Sequence, residues 1–384
     1  MPSSAVTIRS IACVPLLGES PKGGWSHEIA PSDSVHALVA VHTDAGITGY
    51  GSIFTDGRLA QAAIAVLEPL WRGENALEPE RVSEKLHQNT FWMGRGGSLT
   101  HAISGIDIAL WDILGKATGQ PLARLLGGIY RERMKPYCSL LMEEPGRMKD
   151  IVAEYREKGF RAFKIGWGPF GRHDTRMDEA IVRNAREGIG DECQLFVDAG
   201  GSDAYWPNGF KWAVRTAEML ADYNVEWFEE ALVPDALDDF CALRKASPVP
   251  IAGGEVLTRR QSFMPFLLRG AFDIVQPDVT KVGGLSEQRR IARLAQDLGV
   301  RYVGHGWNTA LGVAADLHLA AALPNVDLVE FIGGSAYVDG ILAEPFVLDE
   351  EGMLTLPQGP GLGVTLDPDK VARYSVDPSP LFAA

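Results

Sequence analysis

From residue 136 onward, strand-like and helix-like patterns alternate strictly, and nothing else in the 384-residue chain constrains the fold so tightly. Strand candidates begin near Lys135, Phe160, Cys193, Val225, Val249, Phe272, Val300 and Val326. Helical patterns such as Arg147–Lys158, Asp178–Gly188, Phe210–Tyr223 and Leu285–Asp297 fill the gaps. Eight strands, each followed by a helix, match a (β/α)8-type barrel better than a doubly wound sheet, which carries fewer strands.

The first region reads differently. Two strand-like runs, Ala5–Leu17 and Val35–His42, lead into the turn-rich TDAGITGYG of Thr43–Gly51. Helical patterns follow at Ala60–Leu67, Pro79–Thr90 and the long Leu99–Leu126. Strands followed by helices without alternation predict a small α+β domain. The expected division is residues 1–130 for this domain, 131–350 for the barrel and 351–384 for a C-terminal segment. That segment contains the loop-rich GMLTLPQGPGLGV and is expected to pack back on the first domain.

A formal net charge of −14 with no lysine- or arginine-rich run argues against nucleic acid and anionic membrane as partners. It does not exclude an anionic small molecule, because a metal or local positive groups override the global balance. The four cysteines form no CxxC or zinc spacing and read as free thiols of a reducing cytoplasm. No signal peptide or membrane span is evident in the sequence.

Barrel active sites use residues at the C-terminal ends of strands. In order, those ends offer Lys164 in FKIG, Asp198 in FVDAG, Glu229 in WFEEAL, Glu255 in AGGE, Asp278 in VQPD, His305 in VGHG and Glu330 in LVEF. Any one acid here would ordinarily cap the following helix. Three acids ending consecutive strands, Asp198, Glu229 and Glu255, would converge, and like charges that close need a cation. Hard oxygen ligands suit Mg²⁺, with Mn²⁺ as the alternative. Asp278 and His305 end neighbouring strands, where a carboxylate can fix the imidazole tautomer and raise its basicity. Lys164, apolar-flanked, needs a partner or a cavity for its ammonium.

With these residues in view, the chain resembles the enolase superfamily, most nearly its mandelate racemase subgroup. The resemblance runs over nearly the whole length, through SGIDIALWDILGKATGQPLARLLGG (Ser104–Gly128), VDAG, FEEAL, AGGE, QPDVTKVGG, GHGWNTALG and GPGLGV (Gly359–Val364). It implies that the first domain caps the barrel and that Asp198, Glu229 (rather than Glu230) and Glu255 bind Mg²⁺. It also implies a His305–Asp278 dyad, a Glu330 that assists an enolate oxygen, and a homo-oligomer. The shared step is removal of the proton α to a carboxylate, so a small-molecule carboxylate is the implied substrate. Two cap loops, Leu17–Ser34 and Ser52–Arg58, are expected to close the barrel mouth. Trp25 and Trp307 are expected to line an acid-sugar pocket there, and Lys22 or His27 to meet a second carboxylate.

The sequence also departs from the subgroup's pattern. Its Lys-x-Lys becomes Lys164-Ile165-Gly166, its Asp-x-Asn becomes Asp198-Ala199-Gly200, and the proline of its Glu-Glu-Pro becomes Ala231. A glycine cannot accept a proton. Either His305 is the only base for the α-proton, or Lys164 swings into the space beside Gly166. Racemisation needs acid/base groups on both faces, whereas β-elimination with syn geometry needs one histidine. The expectation is therefore an acid-sugar dehydratase. A racemase, epimerase or lactone cycloisomerase is the alternative, and a metal-binding barrel without turnover the third.

Overall fold

The computed structural model describes residues 6–17, 35–201 and 206–383. The N-terminal region opens with an antiparallel meander, β1 (Ile8–Leu16), β2 (His36–Thr43) and β3 (Thr48–Phe54). Helices α1 (Gly57–Trp71), α2 (Pro79–Asn89) and α3 (Ser98–Thr118) cover it. Glycines let α3 lie against β3: a Cβ on Gly51 would stand 2.0 Å from the Gly105 carbonyl oxygen, and one on Gly49 2.1 Å from that of Ala109. The expected long helix at Leu99–Leu126 is two helices. Gly119 takes the left-handed conformation that ends α3, and α4 (Leu122–Leu126) restarts after Pro121.

Eight parallel strands follow: β4 (Arg133–Leu141), β5 (Ala162–Gly166), β6 (Gln194–Asp198), β7 (Val225–Glu229), β8 (Ile251–Gly253), β9 (Ile274–Val275), β10 (Arg301–Tyr302) and β11 (Leu328–Ile332). Their ladders run in the order β11-β4-β5-β6-β7-β8-β9-β10. Side chains join the two end strands, since Arg301 pairs with Asp327 at 2.9 Å and the Gly306 amide donates to Glu330 at 2.6 Å. Helices α5 (Pro145–Glu157), α6 (Thr175–Ile189), α7 (Phe210–Ala221), α8 (Leu237–Ala246), α9 (Arg259–Arg269), α10 (Gly284–Asp297) and α11 (Ala310–Ala321) alternate with them. This is the expected α/β barrel with a small domain beside it.

The C-terminal segment touches both regions. β12 (Leu354–Thr355) pairs with β4, Leu362 N–H donates to Asp112 of α3 at 2.8 Å, and the Pro380 carbonyl meets His42 of β2. The four cysteines are free thiols, three of them buried. No helix among the described residues is long and apolar enough to cross a membrane.

Inside the barrel, one residue from each strand position forms a floor: Tyr137, Ala162, Phe196, Trp227, Ala252, Ile274, Val303 and Leu328. Phe196 and Trp227 stack with centroids 3.5 Å apart, and Tyr137 sits edge-on to both. This floor seals the lower end of the barrel. Whatever polar groups stand above it face only one another and the mouth.

Candidate active site

Strand side chains alternate between faces, so the residue two positions beyond a floor residue also points inward, one step nearer the mouth. Two steps on from Ala162, Phe196, Trp227, Val303 and Leu328 stand Lys164, Asp198, Glu229, His305 and Glu330. Glu255 and Asp278 join them from just beyond β8 and β9. All seven are buried. The floor explains why: these charges are cut off from bulk water below and must compensate one another.

Lys164, only 3% exposed, answers the cost of a buried lysine with three carboxylates. Its Nζ lies 2.8 Å from Glu229 Oε1, 3.0 Å from Glu330 Oε1 and 3.5 Å from Asp198 Oδ2. Burial works against its charge, but Glu229 and Glu330 outweigh it and hold the ammonium well above its ordinary pKa. Lys164 does not occupy the space beside Gly166, the second of the two alternatives. A Cβ on Gly166 would stand 2.8 Å from Asp198 Cβ and 3.2 Å from its Oδ2, so the aspartate already fills that ground.

Oxygens of Asp198, Glu229 and Glu255 lie within 4.8 Å of one another. Glu229 Oε2 accepts from Gln276 at 2.7 Å and Trp227 Nε1 at 3.0 Å, which fixes its plane. Asp198 Oδ1 accepts from the Gly200 amide at 2.8 Å. Burial and the neighbouring Glu229 push the Asp198 carboxyl well above its usual range despite Lys164. The carboxylates here (these three, Asp278 and Glu330) outnumber the lysines beside them, Lys164 and Lys281. An all-oxygen triad in a cluster with surplus negative charge fits a hard divalent cation.

His305 Nδ1 lies 2.7 Å from Asp278 Oδ2, and its Nε2 stands 3.0 Å from Glu255 Oε2 and 4.0 Å from Glu330 Oε2. Thr280 donates its amide and hydroxyl to Asp278 Oδ1, at 2.7 and 2.6 Å, leaving Oδ2 to the imidazole. Burial opposes a charge on His305, but Glu255 and Glu330 outweigh burial and Lys281 and raise its pKa well above the ordinary value. Burial opposes the charge of Asp278 too, yet His305 and Lys281 draw it down to about 2. The dyad thus holds a carboxylate under an imidazole whose Nε2 faces the acid cluster.

The small domain reaches the site through β3. Ser52 Oγ accepts from Thr309 Oγ1 at 2.9 Å, and the Phe54 ring lies under Lys281 Nζ at 4.3 Å from its centroid. Trp167, half-buried, takes a positive φ of 61° and lays its ring where a side chain on Gly200 would be, 2.7 Å from that Cβ position. The amide lost from the subgroup's Asp-x-Asn is therefore replaced by an indole wall.

Lys164, Asp198, Glu229, Glu255, Asp278, His305 and Glu330 thus share one cluster. Trp307 is half-buried two residues after His305. Lys22, Trp25 and His27 lie outside the described residues. Glu230 is buried, with its backbone at a φ of 45°, and its charge is among those that raise the pKa of Lys281. Lys281, Gln276 and Trp227 join the cluster although none of them is one of the strand-end groups. Each carried a signal: Gln276 and Trp227 precede Asp278 and Glu229 by two on inward-facing positions, and Lys281 follows Asp278 by three.

A (β/α)8 barrel with an acid triad, a His–Asp dyad and a lysine at its strand ends is the architecture of a metal-assisted carbon-acid enzyme. Residues 147–370 match the family model described as enolase C-terminal domain-like, and residues 30–127 the N-terminal domain of the mandelate racemase/muconate lactonizing enzyme family. The chain belongs to this family, within the enolase superfamily. It is 33% identical over 353 residues to the D-galactarolactone cycloisomerase of Agrobacterium fabrum, covering 88% of this chain and 91% of that protein. It is 31% identical to the D-xylonate dehydratase of Haloferax volcanii, over 99% and 97% of the two chains. Among solved structures it is similar to the 3,6-anhydro-D-galactonate cycloisomerase from Zobellia galactanivorans, with a TM-score of 0.86 and 28% identity over 96% of this chain and 99% of that one.

Proposed function

We propose that this protein is a Mg²⁺-dependent acid-sugar dehydratase, with Asp198, Glu229 and Glu255 as the metal ligands. The observation that carries the reading is the closed ground at Gly166. A second base has no place there, and Lys164 Nζ is engaged by three carboxylates, so His305 is left as the base. The bound cation would supply positive charge against the dianion formed when a carbon next to a carboxylate loses its proton.

In this reading, His305 Nε2 takes the α-proton while Asp278 holds the ring's other nitrogen. Glu330 stands between His305 and Lys164, 4.0 Å from the Nε2 of one and 3.0 Å from the Nζ of the other, and the ammonium offsets charge building on the substrate carboxylate. The electron pair left at the α-carbon forms the Cα=Cβ bond as the β-hydroxyl departs, and the imidazolium returns its proton to that oxygen as water. The enol product then becomes a 2-keto-3-deoxy acid. One histidine serves both proton transfers, which requires the hydrogen and hydroxyl to leave from one face.

The dehydratase relative supports this outcome. The cycloisomerase relatives support a second reading, opening of a sugar-acid lactone, that begins with the same proton removal. The test is proton NMR in D₂O with Mg²⁺ and a panel of aldonates, aldarates and their lactones. A 2-keto-3-deoxy product is expected. A ring-opened isomer without water loss would transfer the assignment to the cycloisomerase. The reading also takes the protein to be a cytoplasmic homo-oligomer, which its free thiols accommodate.

A further inference from the structure

Lys281 was not foreseen as part of the site, yet it is 5% exposed and its ammonium makes no hydrogen bond to any described group. Its nearest carboxylate oxygens are Glu255 Oε1 at 3.6 Å and Asp278 Oδ2 at 3.8 Å, within range of charge but beyond that of hydrogen bonding. Phe54 closes the third side with its ring. A buried ammonium keeps such a position at a cost unless its donors have an acceptor that binds from outside.

We infer that Lys281 is a substrate-contacting residue whose N–H groups hold a hydroxyl of the acid sugar on the His305 face. The inference rests on the acid-sugar reading above. Charge selects the kind of oxygen. Glu255 and Asp278 already match the ammonium, so a second carboxylate brought to it would confront both of them. A hydroxyl is neutral, accepts from the ammonium and can donate to a carboxylate in return. Position selects the face: Asp278 Oδ2 is shared, 2.7 Å from His305 Nδ1 and 3.8 Å from Lys281 Nζ, so the two side chains flank one edge of the mouth. A hydroxyl held by Lys281 therefore lies beside the imidazole that takes the α-proton. That is the arrangement a syn loss of water requires, and the hydroxyl we assign to Lys281 is the β-hydroxyl. Phe54 belongs to the small domain, so docking of that domain completes the lysine's seat.

The test compares binding of two ligands to the Mg²⁺-loaded protein by calorimetry: the aldonate of the NMR panel that binds most tightly, and its 3-deoxy analogue, which lacks the β-hydroxyl. The wild type should prefer the hydroxylated acid by about tenfold or more, the scale of a charge-assisted hydrogen bond. Lys281→Met should bring its affinity down to that of the analogue, and Lys281→Gln, which keeps an N–H donor, should recover part of the preference. Removing a buried cation beside Glu255 also moves Tm and Mn²⁺ affinity, so the readout is the ratio of the two ligands' affinities within each Mg²⁺-saturated variant. If Lys281→Met weakens both ligands equally, or keeps the wild-type preference, Lys281 merely balances Glu255 and Asp278 and the inference is overturned. If the wild type binds no aldonate, the acid-sugar reading falls, and this inference with it. Intact discrimination through Lys281 without water loss would overturn the dehydratase assignment alone.

Discussion

Gly166 faces Asp198 so closely that a single added carbon would stand 2.8 Å from the aspartate's Cβ. The glycine is thus a contact, and its hydrogen is what allows Asp198 to turn toward Glu229 and Glu255. Gly166→Ala should displace Asp198 and weaken Mg²⁺ or Mn²⁺ binding by about 10- to 100-fold, as loss of a ligand's support commonly does. Calorimetric metal titration checks this. Unchanged affinity would mean the aspartate has room to spare, and the argument against a second base at 166 would weaken with it.

Replacing His305 by asparagine should reduce turnover by about 10²- to 10⁴-fold, the usual contribution of a positioned proton-transfer group. Asparagine retains a donor toward Asp278, and the acid triad is untouched, so metal binding should persist. Residual activity near wild type would remove His305 from the chemistry.

Lys164→Met leaves Glu229 and Glu330 without the cation 2.8 and 3.0 Å away. Without divalent metal the variant should lose about 3–5 kcal/mol, the cost of stranding one side of a buried ion pair. Saturating Mg²⁺ should restore more stability to the variant than to the wild type, because the ion takes over the missing charge. Thermal unfolding with and without Mg²⁺ measures both effects; equal metal-induced shifts would contradict the charge balance drawn for the site.

Asp107 of α3 ties the small domain to the barrel by accepting from the Ser286 amide at 3.0 Å and from the Ser286 hydroxyl. Burial pushes its carboxyl up to about 7, against those hydrogen bonds. A folded pKa above the unfolded one means the neutral acid is favoured by folding. Its stabilisation is complete below about pH 4 and is lost as pH rises toward 7, by an amount on the order of 2–4 kcal/mol. Asp107→Asn keeps an acceptor for the amide and cannot ionise. The Tm difference between variant and wild type should therefore move in the variant's favour from about pH 4 to about pH 8. Parallel Tm curves would refute the assignment.

Much of this was legible in the chain. The alternation after residue 136, the acids closing consecutive strands and the histidine in GHG are local patterns, and a strand end on a barrel admits only one location for such residues. The strand ends also carried Lys164, Asp198, Glu229, His305 and Glu330. Distances between strands are another matter, because they depend on register and on what fills the floor. The sequence therefore could not say that Lys164 would be captured by Glu229 and Glu330, that Asp198 would close the ground beside Gly166, or that the indole of Trp167 would stand over Gly200. Lys281 escaped notice for the same reason. Its donors matter only because the Phe54 ring, 227 positions earlier in the chain, closes one side of it while Glu255 and Asp278 stay just beyond hydrogen-bonding reach. Sequence alone determined which strand-end groups reach the barrel mouth, since that follows from strand period and chain order. Tertiary structure decided which of them touch, since burial above a sealed floor makes each charge answer to its nearest neighbours.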